Sequence, residues 1–432
     1  MKLTKVKALM IIGSGLYSLA GYGTIDNICL SPVKIESTGK KVTITEASRM
    51  ACIDQASISF PQVILSAQEL YEGDYRVSGF QPDEPVWCRF TPHPKSGASP
   101  KFRCHLTDDR YNLKDKSGHI IREAWSVNSD GKLTDSGGNT IESHDGSPLK
   151  ADKVRIKYST GKSRHREVFT EVAASRILWF LGFYSDSMYQ VQANCLGCMS
   201  DPFQSRQKEP VPEINHFFPA SVERKVPGKE IKTQKHEGWK KEDLERIYKY
   251  ATKEKQHEIE AYILAMNLFH YHNFISLQNR VTCLKDQWNK ETGECYHPVM
   301  YIQDLGGSFG SEGLFINPRG DFSAWEDETI FKKKSSCKLR ANAGELKYVS
   351  EGGRQFLWER LQHLTEDKVR AIFTAAHFDL IDPDLREQTQ KESPRLSGQE
   401  LNRKVIDKWV QTFMKRIREI ESARCPSKVD ND

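Results

Sequence analysis

Asn273 and Gln278 lie in the stretch His270-Tyr271-His272-Asn273-Phe274-Ile275-Ser276-Leu277-Gln278-Asn279-Arg280, and Asp304 follows in Tyr301-Ile302-Gln303-Asp304-Leu305-Gly306-Gly307. A carboxylate on a glycine-rich turn, preceded by side-chain amides, offers oxygen ligands to a hard divalent cation. The other reading of Asp304 is an ordinary turn aspartate. Phosphoryl transfer uses such a metal carboxylate together with a proton acceptor and an amide in the preceding loop. The acceptor position here carries Asn273, and an amide takes no proton near neutral pH. His272 is adjacent and titrates in the right range, but neighbouring residues usually point to different sides. A cluster of His270, His272, His297 and Asp304 around a metal is a second arrangement the spacing allows.

Upstream residues could complete such a site. Ser96-Gly97-Ala98-Ser99-Pro100-Lys101 is a small-residue turn feeding a strand, where backbone N–H groups can approach an anion. Lys153-Val154-Arg155-Ile156-Lys157-Tyr158 alternates apolar and polar residues as a strand does, with Arg155 and Lys157 on one face. Glu167 and Glu171 open the following helical pattern, where they also suit the helix dipole. A strand lysine followed by a helix glutamate is the order in which a phosphate-binding ion pair is built.

The elements that must position these residues change character along the chain. Residues 61–104 read as short strands, and residues 105–150 as a long, exposed polar insertion carrying a hairpin. Val168 to Leu181 keeps helical spacing and stops at Gly182. Met188 to Gln192 and Ala220 to Arg224 read as strands. Beyond Gly238, five stretches carry amphipathic helical patterns, namely 242–250, 258–270, 353–364, 366–377 and 399–422. The expected class is α+β, with a strand-rich N-terminal lobe over 21–225 and a helical C-terminal lobe over 226–432. No internal repeat is evident.

Taken together, these motifs resemble the HipA-like branch of the protein-kinase-like fold, and more closely the exported bacterial proteins that carry a related domain. The resemblance rests on Ser96 to Lys101, Val154 to Lys157, Glu171-Val172-Ala173-Ala174-Ser175-Arg176 with Leu181-Gly182-Phe183, Val222-Glu223-Arg224 and Ile302 to Gly306. It implies a two-lobed fold that binds ATP and Mg²⁺ between the lobes. Ser96, Gly97, Ala98, Ser99 and Lys101 would form the nucleotide loop, Lys157 would contact phosphate and Glu171 would hold Lys157. Glu223 would lie at the hinge, and Asp304 would bind the metal with Gln278 at the second ligand position. Where the family has aspartate, this chain has Asn273. The expectation is therefore nucleotide and metal binding with weak or absent phosphotransfer, toward a protein substrate or partner. The alternative is a disulfide-stapled envelope module that keeps only the fold.

Lys2, Lys5 and Lys7 precede an apolar stretch ending in Ser18-Leu19-Ala20, the pattern of a signal peptide over residues 1–20. Its removal lowers the formal charge from +5 to +2, which gives no argument for a nucleic-acid partner. No later apolar run is long enough for a transmembrane anchor in the mature chain. The expected location is exported, periplasmic or extracellular. Ten cysteines suit an oxidising compartment. Cys29 and Cys52, Cys88 and Cys104, Cys195 and Cys198, and Cys283 and Cys295 are near neighbours, leaving Cys337 and Cys425. Spacing alone does not decide the connectivity. Cys195-Leu196-Gly197-Cys198 reads as a local structural disulfide rather than a redox or zinc motif.

Overall fold

The computed structural model describes Cys29 and residues 46–73, 79–92, 97, 99–161, 165–231, 238–271, 278–289, 291–310, 320–343 and 346–427. The expected signal peptide and the nucleotide-loop residues Ser96 and Ala98 lie outside these residues, as do His272 and Asn273.

The first half is built on strands β1 (Glu84–Thr91), β2 (Lys101–Thr107), β3 (Ser126–Val127), β4 (Leu133–Thr134), β5 (Lys153–Tyr158), β6 (Ser187–Leu196) and β7 (Ile214–Arg224). Five of them close into a barrel in the order β1-β2-β5-β7-β6, antiparallel except for the β1–β6 seam. Closure leaves no unpaired edge. Alternation sends Val86, Phe90, Phe102, Val154, Ile156, Tyr158, Val191 and Val222 inward. Lys101, Arg103, Arg155 and Lys157 are consequently placed on the outer face of β2 and β5.

The insertion between β2 and β5 is a repeat that residue-type reading did not reveal. Asp108, Asp115, Asn128, Asp135 and Ser143 each donate the backbone N–H to the carbonyl four residues on, at 2.8–3.0 Å. In the first four, the side-chain oxygen accepts the N–H groups two and four residues on. The fourth turn residue always has positive φ, and from the second turn onward it is Gly118, Gly131, Gly138 and Gly146. The turns stack over a small core of Leu113, Ala124, Leu133 and Ala151.

The remaining elements are strands β8 (Gly228–Glu230), β9 (Asn279–Leu284), β10 (Pro298–Ile302), β11 (Phe331–Lys333), β12 (Lys338–Ala343) and β13 (Leu346–Tyr348) and eleven helices among the described residues. The helices are α1 (Glu46–Gln55), α2 (Ala67–Glu72), α3 (Glu167–Phe180), α4 (Lys241–Tyr250), α5 (Lys253–Leu268), α6 (Phe322–Asp327), α7 (Glu351–Leu361), α8 (Glu366–Ala375), α9 (Phe378–Ile381), α10 (Pro383–Glu392) and α11 (Gly398–Ser422). The architecture is a mixed α and β one. Phe309, Trp325, Phe373, Phe378 and Trp409 form a ring cluster at the centre of the helix-rich part. Cys52, Ile53 and Leu70 join the same core, so residues 46–73 pack with the helices. Helix α3 is buried along its whole length because it lies between barrel strands and α8.

All ten cysteines pair, as Cys29–Cys52, Cys88–Cys104, Cys195–Cys198, Cys283–Cys295 and Cys337–Cys425. No described helix is long and apolar enough to cross a membrane.

A polar tie joins barrel and helices. His377, just before α9, bonds Asp83 at the mouth of β1 through Nε2 at 2.6 Å, and Asp379 lies 3.8 Å from Nδ1. Burial opposes its charge, but Asp379 and Asp83 lift its pKa from 6.5 to about 9. A raised folded-state value means that this stabilisation is complete below pH 6.5 and is lost as pH rises through 9. Thermal unfolding across that window should show a midpoint that falls with pH in the wild type. His377→Gln should lower stability at pH 6 by on the order of 1–2 kcal/mol and flatten the pH dependence.

Candidate functional site

The Lys157 side chain leaves the outer face of β5 and meets α3. Its ammonium bonds Glu171 Oε1, with Glu167 Oε2 at 3.7 Å and Asp304 Oδ1 at 3.8 Å. Glu167 and Glu171 share one face of α3 because they are one turn apart. Asp304 arrives from the end of β10, where β9 and β10 pair antiparallel from Asn279 opposite Ile302 to Cys283 opposite Pro298.

The Asp304 turn is clamped onto α3. Asp304 Oδ1 accepts the Gly306 N–H at 3.2 Å, and Thr170 Oγ1 donates to the Gly306 carbonyl at 3.1 Å. A Cβ on Gly306 would stand 2.6 Å from Glu167 Cγ, so a glycine is required by close approach. Phe309, three residues further on, enters the ring cluster of the helices with positive φ. Its N–H donates to the Phe269 carbonyl at 2.6 Å.

Electrostatics differ sharply across the cluster. Burial pushes the Glu171 carboxyl up, opposed by Lys157 and reinforced by the Asp304 charge. Asp304 is held well below the usual carboxylate range, because Lys157, Glu171 hydrogen bonding and the Gly306 N–H outweigh its burial. Lys157 is raised, since the surrounding carboxylates exceed the cost of burial. One cation and three carboxylates thus share a small volume whose ligand oxygens lie within 4.8 Å of one another.

Gln278 Nε2 stands 3.5 Å from Asp304 Oδ2, and Tyr271 OH donates to Gln278 Oε1 at 3.3 Å. Rotating the amide by half a turn would present its oxygen beside Asp304, with Tyr271 accepting instead. Lys101 lies opposite Lys157 in the β2–β5 register, and its charge also acts on Asp304. Its Nζ lies 3.1 Å from where a Cβ on Gly97 would sit. Ser99 is buried at the base of the same turn.

Glu223 sits within β7 rather than in a connection, and accepts from Arg155 at 2.6 Å. The histidine arrangement does not form around Asp304 among the described residues, where the metal-capable group is Glu167, Glu171 and Asp304. His270 instead bonds the Gly310 carbonyl at 2.8 Å. Cys195–Cys198 is a buried disulfide. Sequence reading gave Glu167 only a dipole role; its one-turn spacing before Glu171 was the available signal.

The class of protein this defines is a mixed α/β chain with a buried lysine–carboxylate cluster between a barrel and a helical core. No family model and no curated protein matches the chain. Among solved structures it is similar to a Helicobacter pylori proinflammatory kinase CtkA, with 10% identity over 79% of this chain and 97% of that one and a TM-score of 0.39. At that score the likeness assigns nothing to this chain.

Lys157→Met should cost about 3–5 kcal/mol, because it strands buried carboxylates. Adding Glu171→Leu should recover much of that loss. Urea unfolding of both single variants and the double variant measures the coupling.

Proposed function

We propose that this chain is a kinase-like protein of the HipA-like kind that holds ATP with Mg²⁺ between the barrel and the helical part, with weak or absent phosphotransfer. The observation that carries this reading is the convergence of Lys157, Glu171 and Asp304. Strand, helix and post-hairpin turn supply one group each, in the order a phosphate-handling cleft uses.

The donor set fits a hard cation. Asp304 and the Gln278 amide oxygen are oxygen ligands of the kind Mg²⁺ takes, with phosphate oxygens and water completing its shell. Bound there, the ion would neutralise phosphate charge. Lys157 would exchange part of its carboxylate contact for a phosphate oxygen, while Glu171 keeps its direction. Lys101 and the backbone of the Gly97 turn would lie over the same phosphates.

Asn273 argues against efficient turnover, since it cannot take the acceptor's proton. Complete pairing of the cysteines supports an exported, oxidising location, where free ATP is scarce. Protein partners of such a chain would meet it at this cleft.

A thermal-shift titration tests binding. ATP with Mg²⁺ should raise the wild-type midpoint, by about 2.7 kcal/mol of stabilisation at a hundredfold excess over Kd. Asp304→Ala should abolish the metal-dependent part. No shift, or an equal one in Asp304→Ala, removes the proposal. Phosphotransfer to a generic protein acceptor should be near background and rise by on the order of 10²-fold in Asn273→Asp. Robust transfer that survives Asn273→Ala would show that the loop does not act as described.

A further inference from the structure

The row of cations that begins at Lys157 continues beyond the cluster. On the outer face of the β2–β5 pair, Lys101 stands opposite Lys157 and Arg103 opposite Arg155; the last rung sets Lys153 opposite His105, which burial and the Lys153 charge hold neutral with a pKa of about 4. Successive rungs are about 6.7 Å apart, two residues of strand rise. Beside the last two rungs lies a groove of about 480 Å³, lined by six cations and two carboxylates.

Both carboxylates are already engaged. Glu223 binds Arg155 at 2.6 Å, and Asp152 binds Arg224 through two bonds of 2.7 and 2.8 Å. Lys225 turns to Glu230 at 3.0 Å. Arg103, Lys116 and Lys153 remain, with no side-chain hydrogen bond or ion pair among the described residues. Burial lowers the pKa of Arg103 and Lys153, and like charges lower it further: Arg155 acts on Arg103, and Arg103 on Lys153. Glu223, held by Arg155, offsets the field on Arg103 only in part, and an excess of like charge gathered on one face favours an anion between them.

The repeat insertion contributes to this arrangement. Lys116 belongs to its second turn, which is tied to the segment leading into β5 through Lys116 N–H to Lys150 O and Asp152 N–H to Lys114 O, both at 2.9 Å. The groove offers little to an uncharged ring, since Val154 is its one apolar lining residue.

We propose that this groove is a separate anion site that takes a ligand bearing two or more phosphoryl groups, bound by Arg103, Lys116 and Lys153 without a metal. Arginine engages phosphate oxygens with two parallel donors, and the lysines act as point charges on either side. The site stands whether or not the Asp304 cluster binds nucleotide.

Isothermal titration with inorganic tripolyphosphate, in EDTA and at low salt, tests it. The wild type should bind at one site, with affinity falling steeply as salt rises. Arg103→Gln/Lys153→Gln should weaken binding at least about tenfold, since one charge-assisted hydrogen bond alone is worth about that much. Its thermal midpoint without ligand should not fall, because neither side chain holds a partner in the fold. Asp304→Asn should bind tripolyphosphate as the wild type does. Absence of binding, binding unchanged in the double variant, or loss of binding in Asp304→Asn each overturns the proposal. A single-stranded oligonucleotide that binds while tripolyphosphate neither binds nor competes would also overturn it. Failure of the Mg²⁺–ATP titration with tripolyphosphate binding intact would reject the nucleotide reading and leave this one.

Discussion

A lysine ammonium enclosed by carboxylates from two different parts of the chain is the constraint on which the site depends. Lys157 and Glu171 are both buried, and a buried charge persists only if an opposite charge and hydrogen bonds replace the water it lost. That requirement fixes α3 against β5, because moving the helix would strand Glu171 in an apolar environment. It also draws in Asp304, whose carboxylate completes the field around Lys157. A consecutive strand and helix and a turn remote from both in sequence are thereby held at one point.

The surrounding packing makes this geometry stiff. α3 touches β5, β6 and β7 on the barrel side and α8 on the other. The Asp304 turn is gripped by Thr170 and by the close approach of Gly306 to Glu167. Phe309 then anchors the chain among Trp325, Phe378 and Trp409. A shift at the turn would therefore be felt in both the cleft and the aromatic core, since close-packed interiors transmit strain. The His377–Asp83 bond adds a polar tie between the same two parts.

The outer face of the barrel has a different logic. Inside, alternation delivers a dry core; outside, it delivers lysine and arginine in facing pairs. Where α3 covers that face, glutamates neutralise the cations. Where the face is open, beside Arg103 and Lys153, the available acids are committed elsewhere. One strand pair therefore presents a neutralised cluster at one end and an excess of positive charge at the other.

Much of this was legible in residue order. Period-two alternation marked β5, helical spacing with a glycine stop marked α3, and Asp304-Leu305-Gly306 marked a tight turn, all of them properties of neighbouring residues. Neighbour spacing also suggested which cysteines could meet. The sequence by itself determined β5, α3 and the Asp304 turn, the order of Lys157, Glu171 and Asp304, and the amide at position 273, whereas residues 61–104, expected as strands, also hold helix α2. The five-residue turns of the insertion do not stand out as a repeat in the sequence because Asp, Asn and Ser fill one structural role at the first position and the turns are unevenly spaced, leaving the fourth-position glycine of four turns as the shared residue. Tertiary structure alone decided that Glu167 joins the cluster, that Glu223 is spent on Arg155, and that the β2 and β5 cations face each other. These are outcomes of strand register and helix docking, which depend on distant parts of the chain burying apolar surface together and are not encoded in any local pattern.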